Sequence, residues 1–413
     1  MLKFKLSFLF ILMYFIAVCS CGPELPFEER MQKVLDRGIR KYNVRGVSAA
    51  VMFSDNHQWT GASGISHDTV TIKPDMLFAI GSITKTFVAA LTLKLVEEGA
   101  LSLDEPLSKW LPAYPHIDST ITIRQLLNHT SGIYMFWSNQ KIWDALKKDR
   151  TKIWTPEEVL SYIKEPYFPP GKGFRYSNTN YLLLAMIIEK ITASNLSTEF
   201  RKRFWQPLAI ENAYLSIQEK IPENQAHVFG DNFNNDGSEY DLTFLPRASH
   251  ESITFGSAGL FMTAEDLARW CHALFEGQIL NRQSMNEMLD FDLNENHYSL
   301  GVGRFGKSMG YGEKVIGHSG ANIGTSAYMV HLPDHHFSVV VMINGFDHKC
   351  SAEITKKIIA TILKEFDAIG IIAYLYYQYY PLGLVIFCAT ICWTIVIGWH
   401  IRKKRMRKNE QII

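Results

Sequence analysis

Hydrophobic positions along this chain change period several times, and the changes divide it into recognisable elements. Residues from Glu28 to Tyr42 carry apolar side chains at helical spacing. Gly46 to Phe53 and Gln58 to Gly64 read instead as two strands joined by the turn-forming Ser54, Asp55 and Asn56. A helical stretch runs from about Ser82 to Glu98 and stops at Gly99, a residue that tolerates the left-handed conformation at a helix C-terminus. From about 105 to 250 the pattern is short helices and loops rich in Pro, Asn and Gly, including Ile123 to Leu127, Pro156 to Lys164 and Tyr181 to Ile191. Strand character returns at Thr325 to Leu332 and Phe337 to Asn344, around the turn Pro333, Asp334 and His335. An amphipathic helix then spans Ser351 to Phe366. Strands at both ends with helices between predict an α/β core built from the two termini and carrying a mostly helical insertion.

Longer apolar runs at the two ends change the picture. Lys3 and Lys5 precede the run Leu6 to Val18, with small residues at Ser20 and Gly22, the layout of a secretory signal peptide over residues 1–21. Val18, Cys19, Ser20 and Cys21 also resemble a bacterial lipobox in which Cys21 is lipidated, although Cys19 is unusual in that pattern. Pro381 to Trp399 contains no charged residue, and nineteen residues at about 1.5 Å each cover roughly 28 Å, close to the hydrocarbon thickness of a bilayer. A transmembrane helix is expected over residues 381–400. The aromatic segment 367–380, with Tyr374, Tyr376, Tyr377, Tyr379 and Tyr380, precedes it, and the basic tail 401–413 follows. The positive-inside rule places that tail in the cytoplasm and the body, residues 22–366, outside it.

Composition adds bounds. The 413 residues are 47% hydrophobic and 20% charged, ample for a large core, and 42 basic against 41 acidic side chains create no global field favouring nucleic acid. Four of the six cysteines lie in the apolar end segments, which excludes a disulfide framework. Cys271 and Cys350 either pair or remain buried thiols, the commoner state for isolated cysteines.

Three short stretches carry candidate chemistry. In Gly81, Ser82, Ile83, Thr84, Lys85 a serine stands at a helix start with a lysine three positions on, and residues three apart share a helix face. A lysine in a desolvated site has a lowered pKa and can take the serine's proton, while the helix N-terminus favours developing negative charge. Alone, the same residues also describe a capping serine followed by a surface lysine. In Tyr176, Ser177, Asn178 a phenol and an amide two residues apart can point the same way, offering proton transfer and hydrogen bonding, or Ser177 and Asn178 simply cap the next helix. In Gly317, His318, Ser319, Gly320, Ala321 small residues on a strand allow close backbone approach, and His318 offers a donor or a titrating cation for a carboxylate-bearing substrate.

Together, in this order, the three stretches resemble the serine β-lactamase and penicillin-binding protein superfamily. The nearest branch contains class C β-lactamases, D-alanyl-D-alanine carboxypeptidases, D-aminopeptidases and related esterases, as in S12-type peptidases. The resemblance extends through Leu101 to Leu107, Ile123 to Ile133 and Gly256 to Leu260, where Asn128, His129 and Thr130 read as scaffold rather than catalyst. It implies an antiparallel sheet flanked by helices with a helical insertion, and a serine hydrolase working through an acyl-enzyme. It further implies Ser82 as nucleophile, Lys85 as its base and Tyr176 as proton relay. Asn178, His318, Ser319 and Gly320 would bind substrate, and the amides of Ser82 and Ala321 would form the oxyanion hole. Where many β-lactamases carry lysine, threonine, glycine, this chain has His318, Ser319, Gly320. A neutral imidazole anchors a carboxylate less well than an ammonium, so inefficient β-lactam hydrolysis is expected.

The expected partners are a small-molecule or peptide substrate, preferably one containing a D-amino acid, and the membrane. A carboxylesterase with the same machinery and a non-catalytic penicillin-binding sensor remain as alternatives. No cofactor is expected. Asn232, Asn234, Asp236 and Gly237 resemble the opening of a calcium loop, but Thr243 stands where a glutamate is needed. Adjacent His335 and His336 would face opposite ways in a strand and not share one metal. Asn195, Leu196, Ser197 matters for glycosylation only in a eukaryotic secretory pathway.

Overall fold

A computed structural model describes residues 25–366 except 56, 231–238, 244, 292–296 and 310–314. The leader, Cys21, the aromatic segment, the apolar run from 381, the basic tail and the Asn232 to Gly237 turn therefore lie outside the described residues. Among the described residues, no helix is long and apolar enough to cross a membrane. The chain divides at Ile358 into two units. The first holds the architecture below, and of the second only residues 359–366, the end of a helix that begins at 348, are described.

The first helix, α1 (Phe27–Tyr42), buries Met31, Leu35 and Gly38, one stripe at helical spacing. Its Gly38 lets the last helix approach so closely that a Cβ there would lie 2.7 Å from the Ile354 side chain. Next come β1 (Gly46–Phe53), buried on both faces up to Met52, and β2 (Gln58–His67), which continues past the expected Gly64. The positive φ of Gly64 lets the strand pass the Arg45 carbonyl, and Ile65 pairs onward with β3 (Val70–Thr71). At the far end of the chain, β9 (Gly303–Arg304), β10 (Ile316–Asn322), β11 (Thr325–Leu332) and β12 (Phe337–Ile343) complete the sheet. Its order is β3-β2-β1-β12-β11-β10-β9, every pairing antiparallel. The N-terminal and C-terminal strands meet through β1 and β12, with Ala49 opposite Val341. The resemblance's antiparallel sheet and the two-ended α/β core are both present.

Between these ends lies the helical region. A short sheet of β4 (Phe78–Ala79), β8 (Leu260–Met262) and β5 (Ala213–Leu215) lies in it, as does the pair β6 (Phe229–Gly230) and β7 (Tyr240–Asp241). Helix α2 (Thr84–Glu97) is buried nearly all round from Thr84 to Leu93, and α3 (Asn178–Thr192) from Asn178 to Ala185. Helices of this kind are central, and each fully buried Leu or Phe contributes about 1.5–3 kcal/mol, so the N-termini of α2 and α3 are firmly held. Helix α4 (Ala264–Phe275) packs across β1, β12 and β11. The short helices Ile123–Leu127 and Pro156–Leu160 each begin with a capping box, Thr122 with Gln125 and Thr155 with Glu158. The second stops at Leu160 rather than Lys164. Tyr162 and Ile163 close the last turn with i−3 bonds, Asn139 takes the Tyr162 carbonyl at 2.6 Å, and Pro166 disfavours helix at Glu165.

Cys271 and Cys350 do not pair: both are buried free thiols.

Candidate active site

Residues Gly81–Ile83 form a single 3-10 turn that runs into α2, so Ser82 precedes the α-helix rather than opening it. The cause is close packing of β10 on this turn. A Cβ on Gly81, whose φ is +54°, would lie 2.3 Å from the carbonyl oxygen and 2.5 Å from the amide nitrogen of Ala321. A Cβ on Gly320 would lie 1.9 Å from the Ile80 carbonyl oxygen. Only glycine at both positions lets the Ala321 peptide reach the Ser82 turn. Thr84 steadies the turn, donating to the Gly81 carbonyl at 2.7 Å and accepting from the Leu260 amide at 3.2 Å.

One helical turn along, the Lys85 ammonium nitrogen lies 3.0 Å from Ser82 Oγ and donates to the Ser257 carbonyl at 2.8 Å. Lys85 is completely buried, and burial pushes its pKa well below the ordinary lysine range. Its Nζ stands 4.9 Å from the ring centroid of Tyr176 and 5.5 Å from that of Tyr181. Among the described residues no carboxylate pairs with it, so its charge is relieved by losing a proton, the state a base needs.

The segment before α3 brings up Tyr176 and Asn178. Arg175 N–H donates to the His129 carbonyl at 3.0 Å, and Ser177 N–H donates to His129 Nδ1 at 3.2 Å. His129, at φ +60°, packs its ring 4.3 Å from that of Tyr176. The scaffold role expected of the Asn128 to Thr130 loop thus has a concrete form: it fixes the backbone on either side of the phenol. Burial raises the Tyr176 pKa, and a hydrogen bond with Ser82 acts in the opposite direction. By strict geometry its hydroxyl has no hydrogen-bond partner among the described residues, and neither does Oδ1 of Asn178. Two buried polar atoms beside Ser82 are therefore free of partners among the described residues and available to a bound group.

His318 is placed beside this cluster, but its ring is already engaged. Nδ1 lies 2.5 Å from the Ser319 carbonyl and Nε2 lies 3.0 Å from the Tyr298 hydroxyl. The carbonyl can only accept, so Nδ1 carries the proton and Nε2 accepts from Tyr298. Burial, with Lys85 nearby, pushes the His318 pKa down to about 3. The ring is neutral and is not the titrating cation that its position suggested.

Ser82 and Tyr176 line two cavities. One, of about 700 Å³, is walled largely by Met135, Trp137, Trp143, Leu242, Ile323 and Phe346, with Asn178 beside Ser82. The other, of about 390 Å³, is bounded by His297, Tyr298, Arg304, His318, Ser319 and the β10 backbone at Gly320 and Ala321. Arg304, an exposed residue of β9, also lines this second cavity, with its guanidinium 4.5 Å from the Phe291 ring centroid.

The sequence matches the Beta-lactamase family over residues 27–361. The chain belongs to the beta-lactamase family. Among its relatives, penicillin-binding protein 4* of Bacillus subtilis is 26% identical over 286 residues, 66% of this chain and 62% of that protein. Esterase EstB of Burkholderia gladioli is 27% identical over 59% of this chain and 69% of its own length. A D-stereospecific amidohydrolase from Streptomyces superposes with a TM-score of 0.69 at 28% identity, covering 79% of this chain and 98% of its own. The chain spans 62–64% of the length of the first of its curated relatives. Within this family, Ser82, Lys85, Tyr176, Asn178 and the β10 residues His318 to Ala321, all singled out in the sequence, converge here. Sequence reasoning missed Tyr298 and Arg304 as cavity residues, and the Ser257 carbonyl as the lysine's anchor. Ser257 lay within the Gly256 to Leu260 signature, the one available signal.

Proposed function

We propose that the chain is a serine hydrolase that acts through an acyl-enzyme on D-amino-acid-containing peptides or related amides. The contact of a fully buried Lys85, unpaired with any carboxylate among the described residues, with Ser82 Oγ at 3.0 Å carries this reading. Ser82 Oγ attacks the substrate carbonyl carbon as its proton passes to Lys85 Nζ. The oxyanion receives the amides of Ser82 and Ala321, donors each worth roughly 100- to 1000-fold in rate. Tyr176 passes a proton to the leaving nitrogen as the C–N bond breaks, and the acyl group stays on Ser82. Water then attacks the ester, giving a proton back through Tyr176 and Lys85 to Ser82. The orphaned Oδ1 of Asn178 accepts an amide N–H of the substrate.

The apolar cavity suits a hydrophobic side chain. In the second cavity Arg304, rather than the neutral His318, supplies the cation for a free carboxylate. The similarity to a D-stereospecific amidohydrolase and to a penicillin-binding protein supports a D-configured substrate. An ester substrate is the second reading, favoured by the large apolar wall and the neutral His318, and by the likeness to esterase EstB.

A substrate panel separates the two. Turnover of D-alanyl-D-alanine peptides, with KM raised in Arg304→Ala but unchanged for the matching C-terminal amides, is expected. Hydrolysis of short acyl esters with no action on either D-peptides or D-amino acid amides would select the esterase reading.

We further propose that the body acts outside the cytoplasm, held to a membrane by the apolar segment at 381–400 with the basic tail inside and a secretory leader, lipidated or not at Cys21, at the start. The support is the pattern of charges flanking those two apolar runs.

A further inference from the structure

Away from Ser82, the C-terminal end of α4 meets the β11–β12 hairpin in a cluster of imidazoles around one carboxylate. One ligand atom each from His272, Glu276 and His331 lies within 4.8 Å of the others. His272 and Glu276 are four residues apart and so share a face at the end of α4, Glu276 being the residue that caps it. His331 comes from β11, on the same side of the sheet as Met329 and Ala327. The site is remote from the proposed nucleophile. Along β11, His331 stands five residues from Ser326, the partner of Ala321, a distance of about 17 Å.

We propose that His272, Glu276 and His331 form a three-ligand zinc site that fastens the end of α4 to the β11–β12 hairpin, leaving the fourth position to water. The separations suit a small tetrahedral ion. His331 Nε2 lies 3.2 Å from Glu276 Oε1. Two ligands on a tetrahedral zinc with bonds of about 2.0–2.1 Å stand about 3.3 Å apart. A donor set of imidazole nitrogens and one carboxylate oxygen suits zinc better than magnesium or calcium, which prefer oxygen.

Three further features point the same way. Ser338, directly opposite on β12, places its hydroxyl 2.9 Å from His331 Nδ1. With the proton on Nδ1 donated to that hydroxyl, the Nε2 lone pair faces Glu276 and the ion, the outer contact that fixes a ligand's tautomer. The C-terminus of α4, moreover, directs the negative end of its dipole at this spot, which favours a cation. Finally, Nδ1 of His272, a side chain buried to 5% exposure, has no hydrogen-bond partner among the described residues. Coordination through that nitrogen removes the orphan. Neither His335 nor His336 belongs to the set; His336, in the turn at φ +53°, contacts only its carboxylate, with Nδ1 3.0 Å from Glu276 Oε1.

The test is zinc titration of the full-length protein after stripping with a chelator, followed by calorimetry and elemental analysis, with zinc chloride as the only added ligand. One zinc per chain is expected, with a rise in Tm on loading. Cobalt(II) in its place should give the intense visible absorption of a tetrahedral ion. His272→Gln and Glu276→Gln should each weaken zinc binding at least about tenfold and abolish the Tm shift. Glu276→Gln swaps a half-buried carboxylate for its isosteric amide, so it keeps the test alive if the buried histidine variant fails to fold. Absence of stoichiometric zinc from the stripped, refilled wild type would overturn the proposal. So would folded Glu276→Gln that binds zinc as tightly as wild type, since the ion would then sit on other histidines.

Discussion

Replacing Gly320 with alanine tests whether the approach of β10 to the serine turn is what builds the site. The added methyl would lie 1.9 Å from the Ile80 carbonyl oxygen, 3.0 Å from its carbon and 3.2 Å from the Ile83 amide nitrogen, all backbone atoms that cannot rotate aside. The strand must withdraw by about 1 Å to bring the first contact to 3.0 Å. An oxyanion donor works at about 2.7–3.1 Å, so a withdrawal of that size takes the Ala321 amide out of range. The expected loss is about 100- to 1000-fold in kcat, or roughly 2.7–4 kcal/mol of transition-state stabilisation. Overpacking of this kind costs about 1–3 kcal/mol of stability, which a domain of this size survives. Steady-state hydrolysis of a chromogenic D-amino acid anilide and of an acyl ester, with circular dichroism and Tm as folding controls, gives the answer. A folded Gly320→Ala protein with undiminished kcat on both substrates would refute the argument that Ala321 supplies an oxyanion donor.

Other outcomes follow from the same geometry. Because burial lowers the Lys85 pKa, acylation should rise with pH through a value below that of ordinary lysine, and Lys85→Met should remove both the rise and nearly all activity, as read by pre-steady-state kinetics across pH. The sign for stability is the same: an unfolded Lys85 binds a proton that the folded one lacks, so Lys85→Met should flatten part of the pH dependence of urea unfolding. His318 and His250 each titrate near 3 when folded, pushed down by burial, and near 6.5 when unfolded. The unfolded state therefore takes up protons first as pH falls from about 6.5 to about 3, and each histidine should cost about 2 kcal/mol of stability by pH 5. Urea titrations at pH 7 and pH 5 check this, and equal midpoints would contradict the burial of both rings.

Much of this architecture was legible because its signals are local. Ser82 and Lys85 declare themselves by three-residue spacing, and the β1–β2 and β11–β12 hairpins by strand-like runs on either side of turn residues. Termini and motifs also agreed, so the joining of β1 to β12 was accessible through the family resemblance. What stayed hidden depends on contacts between distant segments. Nothing near residue 85 announces that its anchor is the carbonyl of Ser257. His318 reads as a free imidazole until Tyr298 and the Ser319 carbonyl are seen to occupy both nitrogens. Arg304 has no motif of its own and matters only because β9 places it along the wall of the polar cavity. The unexpected stop at Leu160 has the same origin, since the Asn139 side chain takes a carbonyl from outside the helix.

The most direct test of the central claim is intact-mass spectrometry of the purified protein after exposure to a fluorophosphonate, with Ser82→Ala alongside. A single adduct, mapped to Ser82 and absent from a correctly folded Ser82→Ala protein, is the result this account predicts. A folded wild type that takes up no reagent, or an adduct that persists in Ser82→Ala, would contradict it.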